Sequence, residues 1–426
     1  MKRRDFILSA AALAATSTIS CRTALRTDAR PKLAQEDDAF LEELQSASFQ
    51  FFAECTHPAT GLVKDRSLAN RNDERSVASI AATGFGLTAL CIAVQRNWIP
   101  REPAKERVLQ TLRFLQHQLP HEHGFFFHFI NWQTGDRVWN CELSSIDTAL
   151  LLAGVLTCRE YFDEAEIRSA ATAIYDRVDW QWMAQGGLLL GHGWKPESGF
   201  LKSKWDTYSE HMLLYLLAIG DRKHALSPES WKAWRRPHFE YSGIRYINPE
   251  APLFIHQFSH AWFDFRGVRD DFANYFENSI NATRAHRRFC VELSHEFPHF
   301  DENVWGITSS DSAKGYVAWG GPPRHGPLDG TLVPCAAGGS ISFLPHQSIA
   351  CLRTMRERFG PRIWSRYGFV DAFNAKTGWV APDVIGIDVG ITLLMAENAR
   401  TGFVWREFMR NPEARRAMQL AGFRRG

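Results

Sequence analysis

The sequence predicts an all-α fold with little sheet, arranged in two concentric layers as an α/α toroid. Three observations carry that reading. Apolar residues recur at helical spacing through most of the chain. The segments so marked are of two kinds, amphipathic ones and ones apolar almost all round, and the second kind must be buried on every side. Runs that alternate with period two are scarce. Roughly a dozen helices of these two kinds fit an inner layer of apolar helices wrapped by an amphipathic outer layer. A helical solenoid would need a repeat of roughly 30–45 residues, and no such self-similarity is present.

The chain opens MKRRDFILSAAALAATSTISC. A basic stretch precedes an apolar run too short to span a membrane, so residues 1–21 are expected to be a signal peptide. Arg3-Arg4 followed by Asp5-Phe6-Ile7-Leu8 resembles a twin-arginine export signal. Ser20-Cys21 resembles a lipoprotein processing site, with Thr18 where such signals usually carry Leu. The expected location is therefore the periplasm, either in solution or anchored to the outer membrane through lipid on Cys21. Residues 22–38 are poor in apolar side chains and are expected to form a flexible tether. No Gly/Ser- or Pro-rich linker divides the remainder, so 39–426 should be one domain.

Helices are expected in chain order from these patterns. The first is 37–54. Next comes 79–94, "SIAATGFGLTALCIAV", apolar all round. In 104–119 Val108, Leu109, Leu112 and Leu115 share one face and Lys105, Arg107, Gln110 and Arg113 lie largely away from it. The segment 146–156, "IDTALLLAGVL", is again apolar all round. Further helices are expected over 164–178, 207–219, 254–264, 268–286, 345–358, 387–398, 402–409 and 411–420.

Composition narrows the function. A formal charge of +2 on 426 residues gives no case for nucleic acid or an acidic polymer as partner. Seven cysteines follow Cys21, and none forms a C-x-x-C pair, which argues against a zinc knuckle or redox motif. Several sit in apolar runs, as Cys91 does, and read as buried thiols; one or two disulfides stay open for an exported chain. The expected state is a monomer without cofactor or metal.

The chemistry lies in acids placed just before apolar helices. In "NCELSSIDTALLLAGVL" Ser144 or Ser145 can cap the helix, and Ser144-x-x-Asp147 has the shape of a capping box. Asp147 is thus accounted for by a cap and the helix dipole. Glu142 stands before the cap and is not. The same arrangement recurs in "SKWDTYSEHMLLYLLAIG", with Trp205, Asp206, Tyr208 and Glu210, and in "GIDVGITLLMAEN", where Asp388 stands between two glycines. One such case would be capping; three at one end suggest a site that handles protons. Trp205, Tyr208, Trp305, Tyr316, Trp319 and Trp379 all sit near Gly, Asp or Asn. Such rings can stack on the C–H face of a sugar while their polar tips bond hydroxyls. Paired carboxylates in an aromatic groove suit glycosidic cleavage, one acid protonated and the other ionised. Burial at an apolar helix start would raise one pKa and leave an exposed partner ionised.

Two histidine pairs are decoys. "HEFPH" at 295–299 matches the zincin pattern, which works only on a helix; Pro298 would break that turn. "HQFSH" at 256–260 has helical spacing but no third ligand. "HEHGFFFH", His121 to His128, reads as surface and core histidine.

Seven ordered blocks then resemble one family. They are "SIAATGFGLTAL", "GFFFHFINWQTGDRVWNCELSSIDTALLLAGVL", "WDTYSEHMLLYLLAIG", "NVWGITSSDSAKGY", "DGTLVPCAAGGSISFLP", "YGFVDAFN" and "IDVGITLLMAENARTGFVW". Together they resemble the bacterial glycoamylase-like domain of the endo-β-1,2-glucanases, glycoside hydrolase family 144, from about Leu41 to Phe423. The resemblance implies an (α/α)6 toroid, an extracytoplasmic location and hydrolysis of β-linked glucan, foremost β-1,2-glucan, with inversion. It implies Glu210 as general acid and Asp388 as base, with Glu142 the competing base. Asp147 would orient sugar or a neighbouring side chain, and Trp205, Tyr208, Trp305, Asp311, Tyr316 and Trp379 would line subsites. Many members read I-D-Q-G-P where this chain has Ile387-Asp388-Val389-Gly390-Ile391. Val389 lacks the hydrogen bonds of a Gln, which bears on linkage and chain length more than on the reaction. The alternatives are a hydrolase of another β-glucan or an oligosaccharide, a non-catalytic glycan-binding lipoprotein on the same fold, and a polysaccharide lyase.

Overall fold

The computed structural model describes residues 33–247 and 252–426. The expected signal peptide and Cys21 lie outside the described residues, as does the tether up to residue 32. The tether does not extend to 38, because the first helix, Gln35–Glu54, has already begun. Its first turn holds Glu36, Asp37 and Asp38, charges that a helix N-terminus favours. Arg353 and Arg400 pair with Asp37 and Asp38 from elsewhere in the chain.

The protein is mostly helical. Four helices are apolar on nearly every side and buried along most of their length: Ile80–Gln95, Ser145–Phe162, Met212–Gly220 and Gly386–Thr401. They pack on one another, with Ile80–Gln95 between Ser145–Phe162 and Gly386–Thr401, and Met212–Gly220 against Ser145–Phe162. Two glycines set the closest of these contacts. A Cβ on Gly154 would lie 2.1 Å from the Gly84 carbonyl oxygen, and one on Gly84 2.3 Å from that of Leu150. Any side chain there would push the two helix backbones apart. Amphipathic helices cover this group: Gln35–Glu54 lies on Gly386–Thr401, and Pro412–Leu420 on Met212–Gly220. Arg101–His117 and Ala165–Asp176 pack on each other and on Ser145–Phe162.

Three expected helices differ. The segment 254–264 forms two 3₁₀ turns, Leu253–His256 and Phe258–Ala261. The helix expected over 268–286 is Tyr275–Glu292, because the Asp270 carboxylate accepts from the N–H groups of Phe272 and Ala273 and holds a turn there. The helix expected over 207–219 starts only at Met212. The backbone of Thr207 and Tyr208 is drawn into a bridge with Arg235, which leaves Glu210 on the loop before the helix.

The sheet consists of strands two to four residues long, mostly in pairs, too short to show as alternation in the sequence. Several join into a collar. Asp383–Ile385 pairs with Arg66–Leu68, Lys64 bridges Ala78, and Val77–Ser79 pairs with Phe129–Asn131. Phe127 then bridges Leu143, and Leu143–Ser144 pairs with Gly193–Lys195. Each of the helices Gly386–Thr401, Ile80–Gln95 and Ser145–Phe162 begins directly from a strand of this collar, so their N-termini share one end of the molecule. The seven cysteines after Cys21 are all buried free thiols, with the sulfurs of Cys91 and Cys158 3.6 Å apart.

Candidate active site

The collar gathers the acids. Ser144 is the N-cap of its helix: its Oγ accepts the Asp147 N–H at 3.2 Å and donates to the Asp147 carboxylate. The Ser144 half of the capping box read from the sequence is therefore present, while the Asp147 carboxylate accepts from the Ser144 hydroxyl rather than from its backbone N–H. Asp147 also faces a residue that sequence reasoning placed as surface or core. His128, at the edge of the Phe129–Asn131 strand, lies between the two carboxylates. Its Nδ1 is 3.1 Å from Glu142 Oε1 and its Nε2 3.6 Å from Asp147 Oδ1. Burial opposes a charge on this ring, but the Asp147 charge and the bond and charge of Glu142 outweigh it and raise the His128 pKa. Against that imidazolium Glu142 drops to about 2, the His128 hydrogen bond exceeding the opposing effect of burial. Glu142 is thus an ion-paired carboxylate that stays charged.

Glu210 is different in kind. It is half-buried and stands immediately before the Met212–Gly220 helix. Burial raises its pKa against a hydrogen bond from the Ser209 hydroxyl, and the charge of Asp147 raises it further. Its backbone is fixed from a third segment, since Ser259 Oγ donates to the Glu210 carbonyl at 2.5 Å. The upward shift, with burial as its largest cause, suits a proton donor.

Asp388 lies in the first turn of Gly386–Thr401 and carries a partner that the sequence did not announce. Asp371 is 2% exposed; one oxygen accepts the Asp311 N–H at 2.7 Å, the other has no such donor, and the side chain interacts with that of Asp388. Two buried carboxyls that close cannot both ionise at their ordinary values. Burial and the charge of Asp388 push Asp371 well above the usual range. Burial also lifts Asp388, but the hydrogen bonds of Asp371 and Cys335 and the charge of Arg66 hold it to about 6. Asp371 is therefore the carrier of the shared proton and Asp388 the ionisable member. A lone Asp inside the apolar run "GFVDAF" was the available signal, since a buried carboxyl must be paired or protonated.

One basic group ties the halves. Arg66 donates to both oxygens of Asp311, at 2.9 and 2.8 Å, and to Asp65 at 2.8 Å. The Asp65 charge is felt by both His128 and Asp388, which places the Glu142–His128–Asp147 group and the Asp371–Asp388 pair around one region. Asp147 in turn is felt by Glu210. The four acids singled out by sequence are thus linked through one electrostatic neighbourhood.

The expected sugar-lining residues divide. Tyr316 is 56% exposed in the hairpin opposite Asp311, and its hydroxyl feels the Asp388 charge. Trp379 is half-exposed in the hairpin that follows Asp371. Tyr208 and Trp305 do not line a cleft. Tyr208 is buried among Trp234, Tyr275 and His256, whose Nδ1 is 3.1 Å from its hydroxyl. Trp305 is fully buried. Proximity to polar residues in sequence says nothing of which way a ring turns. Trp205 is buried too: it stacks on His192 at 3.9 Å, and its N–H donates to Ser145 Oγ at 3.0 Å, so no donor is left for a sugar. Asp311 is committed to Arg66 and organises the site from behind. Val389 is buried and shares with Leu44 and Leu352 the lining of a small cavity beside Asp388.

The histidine decoys serve packing. Pro298 follows only a short 3₁₀ turn, Leu293–His295, and His299 donates through Nε2 to the Gly330 carbonyl at 2.7 Å. His256 and His260 are buried, and burial lowers both to about 3, so they are neutral.

Known proteins share this architecture. An exo β-1,2-glucooligosaccharide sophorohydrolase (non-reducing end) from Parabacteroides distasonis is 29% identical over 90% of the chain. The chain spans 58% of that protein's length. The solved β-1,2-glucanase from Parabacteroides distasonis superposes with a TM-score of 0.85 at 27% identity, covering 92% of this chain and 60% of the other. The endo-β-1,2-glucanase from Chitinophaga pinensis, solved with sophorotriose and glucose, gives 0.84 at 24% identity, covering 92% and 99%. A family profile described as glycoamylase matches residues 202–412, which include Glu210, Asp371 and Asp388. On these matches the chain resembles the glycoamylase family over residues 202–412, and bacterial β-1,2-glucanases are among its structural neighbours.

Proposed function

We propose that the protein is an exported glycoside hydrolase that cleaves β-linked glucan, foremost β-1,2-glucan, with inversion, on an (α/α)6 toroid. The observation that carries this reading is the set of acids that stand before the buried helices: Glu210, whose pKa burial and the Asp147 charge raise, and Asp388, held at about 6. The names of the relatives support the β-1,2 linkage, and the two layers of helices support the toroid. The leader with Arg3-Arg4 supports delivery to the periplasm, and Cys21 supports a lipid anchor at the outer membrane.

In this mechanism Glu210 gives its proton to the glycosidic oxygen as the bond to the anomeric carbon breaks. Asp388 takes a proton from water, and the resulting hydroxyl adds to that carbon from the opposite face. Asp388 suits the base better than Glu142. A base is most effective when its pKa lies near the working pH. Asp388, at about 6, is both ionised and basic near neutrality, whereas Glu142, at about 2, is ionised but weakly basic. The Glu142–His128–Asp147 group instead holds fixed charges that orient hydroxyls, and Asp371 is a positioning residue for Asp388.

The test is release of reducing ends from β-1,2-, β-1,3- and mixed-linkage glucans by the purified protein. Release from β-1,2-glucan at a rate well above the others is expected. Failure on all three overturns the hydrolase reading, and preference for another linkage overturns the substrate.

A further inference from the structure

We propose that Trp139 is a sugar-stacking platform at the rim of the cleft, binding a glucosyl unit that lies beyond those between the acids. The inference rests on the glucan reading above and extends it. Ile130 bridges Arg137, and Phe127 bridges Leu143, so residues 138–142 oppose only 128 and 129 and must bulge from the hairpin. The bulge is a tight turn in which the Cys141 N–H donates to the Val138 carbonyl at 3.2 Å. Its two central residues, Trp139 and Asn140, have φ of 58° and 49°. Asn tolerates such left-handed angles, but a bulky side chain strains them. The neighbours enforce the strain: the Val138 N–H donates to the Phe129 carbonyl at 3.1 Å, and Arg137 Nε donates to the Cys141 carbonyl at 2.5 Å.

Packing does not account for a Trp here. Its side chain is the most exposed large hydrophobic among the described residues, at 67%. Among the described residues its one aromatic contact is the Phe129 ring, at 5.1 Å and 61°. That contact leads inward, because Phe129 stacks on His128 at 3.8 Å and 16°, and His128 bonds Glu142. An aromatic ladder therefore runs from the rim to the carboxylates. On the side of Asp388 stands Tyr316, the next most exposed large aromatic. A strained residue retained where neither backbone preference nor burial favours it marks function. An open indole face at the outer end of this ladder is suited to the C–H face of a glucose ring.

The test is Trp139→Asn, which keeps the turn and removes the ring. The KM for long β-1,2-glucan should rise about three- to tenfold, as loss of one aromatic contact implies, and the effect should shrink as the oligosaccharide shortens. The melting temperature should not fall, since Asn relieves the strain. An unchanged KM for long chains overturns the platform, and so does a lowered melting temperature, which would make the ring structural. If the parent protein cleaves no β-glucan, the hydrolase reading fails separately. The platform is then read from β-1,2-glucan affinity of parent and variant, where equal affinity, or no binding by either, overturns it.

Discussion

Glu210→Gln should lower kcat on β-1,2-glucan by about 10²- to 10⁴-fold while the fold and the sugar affinity persist. Gln has nearly the volume of Glu and its carbonyl can still accept from the Ser209 hydroxyl, so the loop before Met212–Gly220 keeps its support. What is lost is the carboxyl group, whose hold on a proton burial and the Asp147 charge strengthen. Steady-state kinetics and circular dichroism check both halves. An aryl glycoside, whose leaving group needs no protonation, should be affected far less than the glucan. An unimpaired variant would remove Glu210 from the mechanism.

Asp388→Asn should cost activity on a similar scale, about 10²- to 10⁴-fold, and should stabilise the protein near neutral pH. The folded-state pKa of Asp388 is raised from 3.8 to about 6. The folded form therefore binds this proton more tightly than the unfolded chain. The stability it confers is complete below about 3.8 and is lost as pH rises through 6. Asn stands in for the protonated form at every pH, so melting temperatures of parent and variant should converge in acid and separate above pH 6. The pair gives a second readout. Asp371 carries the shared proton and donates it to Asp388, which favours the ionised form. Asp371→Ala should move the acid limb of the kcat/KM profile upward by about one pH unit, whereas Asp371→Asn, able to donate from its amide, should hold it. Equal limbs in the parent and Asp371→Ala would separate Asp371 from the base.

Most of the helical framework was legible in the sequence because burial on all sides leaves an unmistakable composition, as in 79–94 and 146–156. Glu142, Asp147, Glu210 and Asp388 were legible for the same reason: each acid stands against a long apolar run. The collar was not, because its strands are two to four residues long. Without it, His128 read as an ordinary histidine although it bridges Glu142 and Asp147. Asp371 was hidden because its partner, Asp388, is 17 residues away and is reached only through the fold. Tyr208 and Trp305 were misread because ring orientation depends on tertiary packing; both turn inward.

Inversion requires Glu210 and Asp388 to act from opposite faces of one glycosidic bond, with a water between the base and the sugar. Proton NMR of β-1,2-glucan in the first minutes of cleavage tests this most directly. New reducing ends should appear as the α-anomer and only later equilibrate. Initial appearance of the β-anomer would contradict the account.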